Sequence, residues 1–163
     1  MEKRNLGNTG TKVGALGIGA MSFSDFYGPT NTQESHAILK MALDNGIDHI
    51  DTAKVYGMGL SEERIGQFLS TLNPKDRQFF KIATKGGIDR KNFDDKGTVV
   101  FDNSKEFLTE ELNNSLRRLG VDCVELYYVH RREADRPIEE VTETLVEFIN
   151  CLLYTSDAAD ERS

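Results

Sequence analysis

The chain has 163 residues, of which 38% are hydrophobic and 29% charged, the size and balance of one globular domain rather than a membrane protein. Its formal charge of −7 repels nucleic acid, and no Lys/Arg cluster alternates with aromatic residues to form a base-stacking surface. No run approaches the roughly 18 apolar residues of a spanning helix and the opening MEKRNLGNTG lacks the apolar core of a signal peptide, so a cytoplasmic location is expected.

The chain opens with a candidate hairpin, Arg4 to Leu6 against Lys12 to Gly14 across Asn8-Thr9-Gly10. Four pairs follow, each a short β-rich apolar run and then a stretch of helical period. The first strand spans Ala15 to Met21; its helix starts on a capping-box spacing at Thr30–Gln33, presents Ile38, Met41 and Ala42 inward, and stops at Gly46. The second strand is Ile47 to Thr52, and Ser61 is placed to cap a helix whose Ile65, Phe68, Leu69 and Leu72 form one apolar stripe ended by Asn73 and Pro74.

The third strand, Phe79 to Thr84, leads into a polar loop where Asp94, Asp95, Gly97 and Asp102 resist regular structure. A helix from Asn103 or Ser104 carries Leu108, Leu112, Leu116 and Leu119 on one face and closes at Gly120. The fourth strand is Asp122 to Val129. Pro137 suits the first turn of the last helix, Glu139 and Glu140 complement its positive end, and Val141, Leu145, Phe148 and Ile149 face inward.

Strands alternating with helices imply a parallel sheet, either doubly wound or part of a (β/α)8 barrel. A dinucleotide-binding doubly wound sheet carries GxGxxG after its first strand, but Gly17-Ile18-Gly19-Ala20-Met21-Ser22 lacks the last glycine and starts no helix. The expected fold is therefore α/β, a partial (β/α)8 TIM barrel of about four βα units behind an N-terminal hairpin. In barrels the chemistry sits where strands end and βα loops begin.

Three strands run out into polar residues: Asp51 with Tyr56 five positions on, Lys85, and His130. A carboxylate, a phenol, an ammonium and an imidazole on one rim suit carbonyl reduction, because hydride delivery to carbon leaves an alkoxide that needs a proton. A tyrosine can supply it. The reference pKa of a phenol, about 10, is too high for efficient transfer at neutral pH, so a neighbouring lysine is the expected tuning device, and Lys85 fills that place. Asp51 would keep such a lysine charged, and His130 would hydrogen-bond and orient the carbonyl oxygen. His36 reads as a surface residue and His49 as packing on the strand face of Asp51. Tyr127 and Tyr128 alternate faces, and Arg131 and Arg132 read as exposed. Cys123 and Cys151 have no metal-ligand spacing, and no metal is expected.

At these residues a resemblance emerges. GIDHIDTAKVYGMGLSEERIG, KIATKGG and SLRRLGVDCVELYYVHR occur in the order of aldo-keto reductase signatures, and the chain resembles the amino-terminal half of that family over residues 4 to about 150. The opening LGIGAMSFSDFYGPT and YYVHRREADRPIEE are most similar to its pyridoxal reductase and auxin-induced-protein-like members. The resemblance implies an NAD(P)H-dependent oxidoreductase acting on a small carbonyl substrate. Tyr56 would be proton donor, Lys85 and Asp51 its tuning pair and His130 the orienting residue, with NADP(H) as cofactor against Gly19, Ala20, Met21 and Asp51. The other use of such a barrel is as a non-catalytic redox-sensing or regulatory subunit. A complete barrel takes eight βα units in about 250 residues, so four units are expected to be inactive alone, or to close only by pairing with a second copy. After Asn150 the helical pattern lapses into CLLYTSDAADERS, whose first eleven residues resemble a translated transposon-type sequencing adapter; residues 151–163 are read as a non-native tail.

Overall fold

A computed structural model describes residues 1–8, 10–93 and 99–160. The N-terminal hairpin forms from β1 (Lys3–Asn5) and β2 (Lys12–Gly14), antiparallel with Arg4 opposite Val13. Asp48 fastens it to the sheet: its buried carboxylate accepts from the Gly14 amide at 2.6 Å and is salt-bridged by Lys3. Gly14 suits this junction because a Cβ there would stand 3.0 Å from that carboxylate.

The main sheet has four parallel strands in the order β3 (Gly17–Gly19), β4 (His49–Asp51), β5 (Lys81–Gly86) and β8 (Leu126–Val129). Helices α1 (Thr32–Asp44), α2 (Leu60–Ser70), α4 (Lys105–Leu119) and α5 (Ile138–Asp160) follow the four strands in turn. The four anticipated βα units are all present. Successive strand side chains alternate between faces, and one alternation alone feeds the core: Ile18, Ile50, Ile82, Tyr127 and Val129 pack against Leu39 of α1, Ile65, Phe68 and Leu69 of α2, Leu108, Leu112 and Leu119 of α4, and Val141 and Phe148 of α5. Fully burying one such side chain contributes about 1.5–3 kcal/mol. A core on one face only fits the wall of a barrel and not a doubly wound sheet, which buries both faces.

Several boundaries differ from the sequence expectation. Strand β3 is shorter than Ala15–Met21 because Ala20–Ser24 turns into a 3-10 helix, and β4 is shorter than Ile47–Thr52. The capping box of α1 is Asn31 with Glu34, not Thr30 with Gln33. Its inward face is Ser35, Leu39 and Ala42, while Ile38 and Met41 are 47% and 67% exposed; the stripe lies one residue away from the position read from sequence. Ser61 does not cap α2, because the left-handed Gly59, two residues earlier, is the N-cap and the Ser61 hydroxyl is spent elsewhere. Asn73 caps a short helix, α3 (Pro74–Phe79), that takes Phe79 out of the third strand. At its other end that strand runs on to include Lys85 and Gly86, which pair with Tyr128 and Val129.

The loop after it contains a hairpin that the polar composition hid, β6 (Ile88–Phe93) with β7 (Val99–Phe101); Asp94, Asp95 and Gly97 lie outside the described residues. The fourth strand starts at Leu126 rather than Asp122. Helix α4 begins after its Ser104 cap and ends at the left-handed Gly120, as its sequence dictates. The backbone of α5 continues ten residues beyond Asn150, the point where the pattern was read to lapse; CLLYTSDAAD contains neither proline nor glycine to stop it.

Candidate functional site

The strand register decides which side chains share the rim. Gly19 pairs with Asp51, Asp51 with Ala83, and Lys85 with Tyr128. Two residues along a strand return to the same face, so Asp51, Lys85 and Tyr128 all lie on the face opposite the helices. His130 follows two residues after Tyr128, its amide donating to the Gly86 carbonyl at 2.8 Å.

Tyr56 reaches the same place by a loop. The segment after β4 stays bonded to β5, with the Thr52 amide on the Ala83 carbonyl at 2.9 Å and the Lys54 amide on the Lys85 carbonyl at 3.3 Å. The chain then leaves the strand through three consecutive left-handed residues, Gly57, Met58 and Gly59 (φ +64°, +56° and +105°). Only glycine fits at 57, where a Cβ would also meet the Cβ atoms of Ser24 and Leu60 at 2.8 and 2.9 Å. This sharp exit holds the phenol over β5.

The Lys85 ammonium donates to Asp51 Oδ1 at 2.5 Å, to the Thr52 carbonyl at 2.8 Å and to the Tyr56 hydroxyl at 3.4 Å. The Tyr56 and His130 rings meet edge to face, with centroids 5.8 Å apart. All four sequence-selected side chains therefore converge. Burial, then Lys85 and Arg131, push the His130 imidazole below its ordinary pKa against the opposing pull of Asp51, a net shift that favours the neutral ring. Its Nδ1 atom is buried and has no hydrogen-bond partner among the described residues.

Gly19 stands beside Asp51 at the rim, exposed and with nothing within 4 Å of where a Cβ would sit. Ala20 is fully buried, its carbonyl taken by the Ser61 hydroxyl at 2.8 Å, and Ser61 is joined to Thr52 at 2.8 Å. Met21 is half-buried. His36 is not a free surface residue: it contacts the Arg64 carbonyl at 3.0 Å and tilts against Phe68, so it belongs to the α1–α2 interface. His49 does pack, its ring against Gly17 and its Nδ1 at 3.2 Å from the Lys81 carbonyl. Tyr127 meets Phe148 of α5 while Tyr128 is 41% exposed on the rim face; Arg131 and Arg132 are exposed.

Sequence reasoning missed a set of buried charges behind the site. Glu62, fully buried, accepts from the Thr84 hydroxyl at 2.6 Å and from Arg118 Nε at 2.7 Å. Lys54 is paired with Glu111 at 3.1 Å, both nearly buried. The signal was available: Glu111, Ser115 and Arg118 occupy helical positions within the stripe of Leu108, Leu112 and Leu119. Charged residues on a buried stripe require partners.

A profile of the aldo/keto reductase family matches residues 15–150, taking in every element from β3 through most of α5. The chain belongs to the aldo/keto reductase family. An NADP(+) aldo-keto reductase of Schizosaccharomyces pombe is 34% identical over 142 residues, 87% of this chain and 40% of that protein. A probable voltage-gated potassium channel beta subunit of Arabidopsis thaliana is 34% identical over 145 residues, 89% of this chain and 42% of that protein. Among solved structures, the holo form of an aldo-keto reductase from Bacillus halodurans superposes with a TM-score of 0.76 at 35% identity, over 90% of this chain and 46% of that one. The chain thus spans less than half the length of these aldo/keto reductase relatives, and its fold is part of their TIM barrel. No helix among the described residues is long and apolar enough to cross a membrane, and no described group of His, Cys, Asp or Glu could hold a metal ion.

Proposed function

We propose that these residues form the proton-transfer side of an NADP(H)-dependent reductase that converts small aldehydes or ketones to alcohols, in the cytoplasm. The observation that carries this reading is the Lys85 ammonium, shared between Asp51 and the Tyr56 hydroxyl on the rim face. The nicotinamide, when bound, supplies the hydride. Gly19 and Met21 would line it, since Gly19 offers side-chain-free backbone at the open rim next to Asp51.

The chain's own residues account for the rest. His130, neutral, donates a hydrogen bond that orients the carbonyl oxygen toward Tyr56, and the phenol protonates that oxygen as negative charge develops on it. Lys85 then faces the phenolate oxygen and stabilises it, while Asp51 holds the lysine charged and aimed. No observation at this site favours the alternative of a non-catalytic regulatory barrel.

The described sheet has four strands with β3 and β8 at its edges, so one side of the rim is open to water. We accordingly propose that the 163 residues alone bind cofactor weakly and turn over slowly. The test is a chimera in which residues 1–150 replace the matching segment of a family member, assayed with NADPH and 4-nitrobenzaldehyde at 340 nm. NADPH oxidation by the chimera, with little by the isolated chain, supports the reading. A folded chimera that binds NADPH but reduces no aldehyde or ketone defeats it.

A further inference from the structure

The contact on which the proposed chemistry depends is the least anchored of the three that Lys85 makes. Asp51 and the Thr52 carbonyl hold the ammonium at 2.5 and 2.8 Å, whereas the Tyr56 hydroxyl lies at 3.4 Å. Tyr56 sits on a loop entering three left-handed residues, so its position follows from whatever fixes residues 53–56 against β5. The backbone supplies one tie, from the Lys54 amide to the Lys85 carbonyl.

The Lys54 side chain supplies another, from the opposite side. It runs away from the rim to Glu111 Oε1 on α4, with side-chain exposures of 9% and 8%. Its ammonium also stands 5.9 Å from the centre of the Phe107 ring. Glu111 lies against the residue after Lys85: a Cβ on Gly86 would approach the Glu111 Cβ at 3.2 Å. Glu111 on α4 therefore neighbours both segments: its Cβ lies against Gly86, next to Lys85, and its carboxylate takes the Lys54 ammonium, two residues before Tyr56. We infer that Lys54 and Glu111 are positioning residues that set the distance between the Tyr56 hydroxyl and the Lys85 ammonium.

Energetics favour this over a stability role. A buried ion pair returns little net stability because desolvation offsets the attraction, and apolar replacement of both partners is often neutral. Burial pushes the Glu111 carboxyl up, Lys54 and Arg118 opposing it and Glu62 adding to it, and Glu111 Oε2 has no hydrogen-bond partner among the described residues. The fold has a separate fastening in the same region, Glu62 with Thr84 and Arg118, which ties β5, α2 and α4 without Lys54. What the Lys54–Glu111 pair adds is a fixed geometry for the loop.

This inference rests on the proposed proton-donor role of Tyr56, but its test needs neither cofactor nor turnover. Crystal structures of the 163-residue chain and of its Lys54→Met/Glu111→Leu form read the separation of the Tyr56 hydroxyl and the Lys85 ammonium directly. In the double variant it should lengthen past hydrogen-bond reach, to about 4 Å or more, while Lys85 keeps its contact with Asp51; Lys54→Arg should retain the parent separation. A folded double variant with an unchanged separation overturns the inference. Should the double variant not fold, Glu111→Asp carries the same test: it keeps both charges and withdraws one methylene. A lengthened separation supports the clamp and an unchanged one overturns it. Failure of the reductase reading shows separately, as a chimera without turnover.

Discussion

The Lys85 ammonium stands 2.5 Å from Asp51 and 3.4 Å from the Tyr56 hydroxyl, so one cation serves a carboxylate and a phenol at the same rim. In the proposed chemistry the lysine's charge, rather than its bulk, is what acts on the phenol. Lys85→Met in the barrel chimera should therefore lower kcat for aldehyde reduction by about 10²- to 10⁴-fold, the span of a lost acid–base contribution. NADPH affinity should change much less. Steady-state kinetics with a separate fluorescence titration of NADPH distinguishes the two effects.

The neutrality of His130 has a pH signature. Its folded pKa is depressed, chiefly by burial and then by Lys85 and Arg131, so the unfolded chain takes up a proton here more readily than the folded chain as pH falls. The stability contributed by His130 is present above its unfolded value near 6.5 and is lost as pH falls through the lower folded value. Urea unfolding followed between pH 7.5 and 5 should show a decline that His130→Gln removes; an identical decline in both proteins would contradict this. Arg131→Ala should move the imidazole midpoint upward in an NMR titration.

Glu62 offers a test of the buried network. Truncation to Glu62→Ala leaves Arg118 without its carboxylate and the Thr84 hydroxyl without its acceptor. The expected loss is about 3–5 kcal/mol, the range for breaking a buried pair on one side. Glu62→Gln, which still accepts from Thr84, should cost less. Denaturant melts monitored by circular dichroism decide it.

Gly66 is the contact point of α2 with α4. A Cβ there would stand 2.1 Å from the Arg118 carbonyl oxygen and 3.0 Å from the Leu119 carbonyl carbon, and backbone cannot rotate aside. Gly66→Ala, which favours an isolated helix, should here destabilise by about 1–3 kcal/mol through overpacking. A variant as stable as the parent would show that the helices do not pack this closely.

Much of this architecture is written in local pattern. The alternation of β-rich runs with helical stripes marks the four βα units, and strand ends marked Asp51, Lys85 and His130 because a period of two and a parallel register leave no other face for them. Boundaries were less legible where tertiary bonds decide them. Ser61 has a capping residue's chemistry, yet Ala20 and Thr52 claim its hydroxyl; Ile38 and Met41 fit an inward stripe offset by one residue from the real one. The β6–β7 hairpin carries too many polar residues to announce strands. The Lys54–Glu111 and Glu62–Arg118 pairs join residues 57 and 56 positions apart, a separation that no local period encodes.

The account depends above all on Tyr56 as the proton donor. The direct measurement is single-turnover carbonyl reduction by the chimera with Tyr56 and with Tyr56→Phe, NADPH binding being measured in both. Removing one hydroxyl should leave the fold and cofactor affinity in place and slow reduction by at least about 10²-fold. Reduction at near the parent rate by the phenylalanine form would contradict the account.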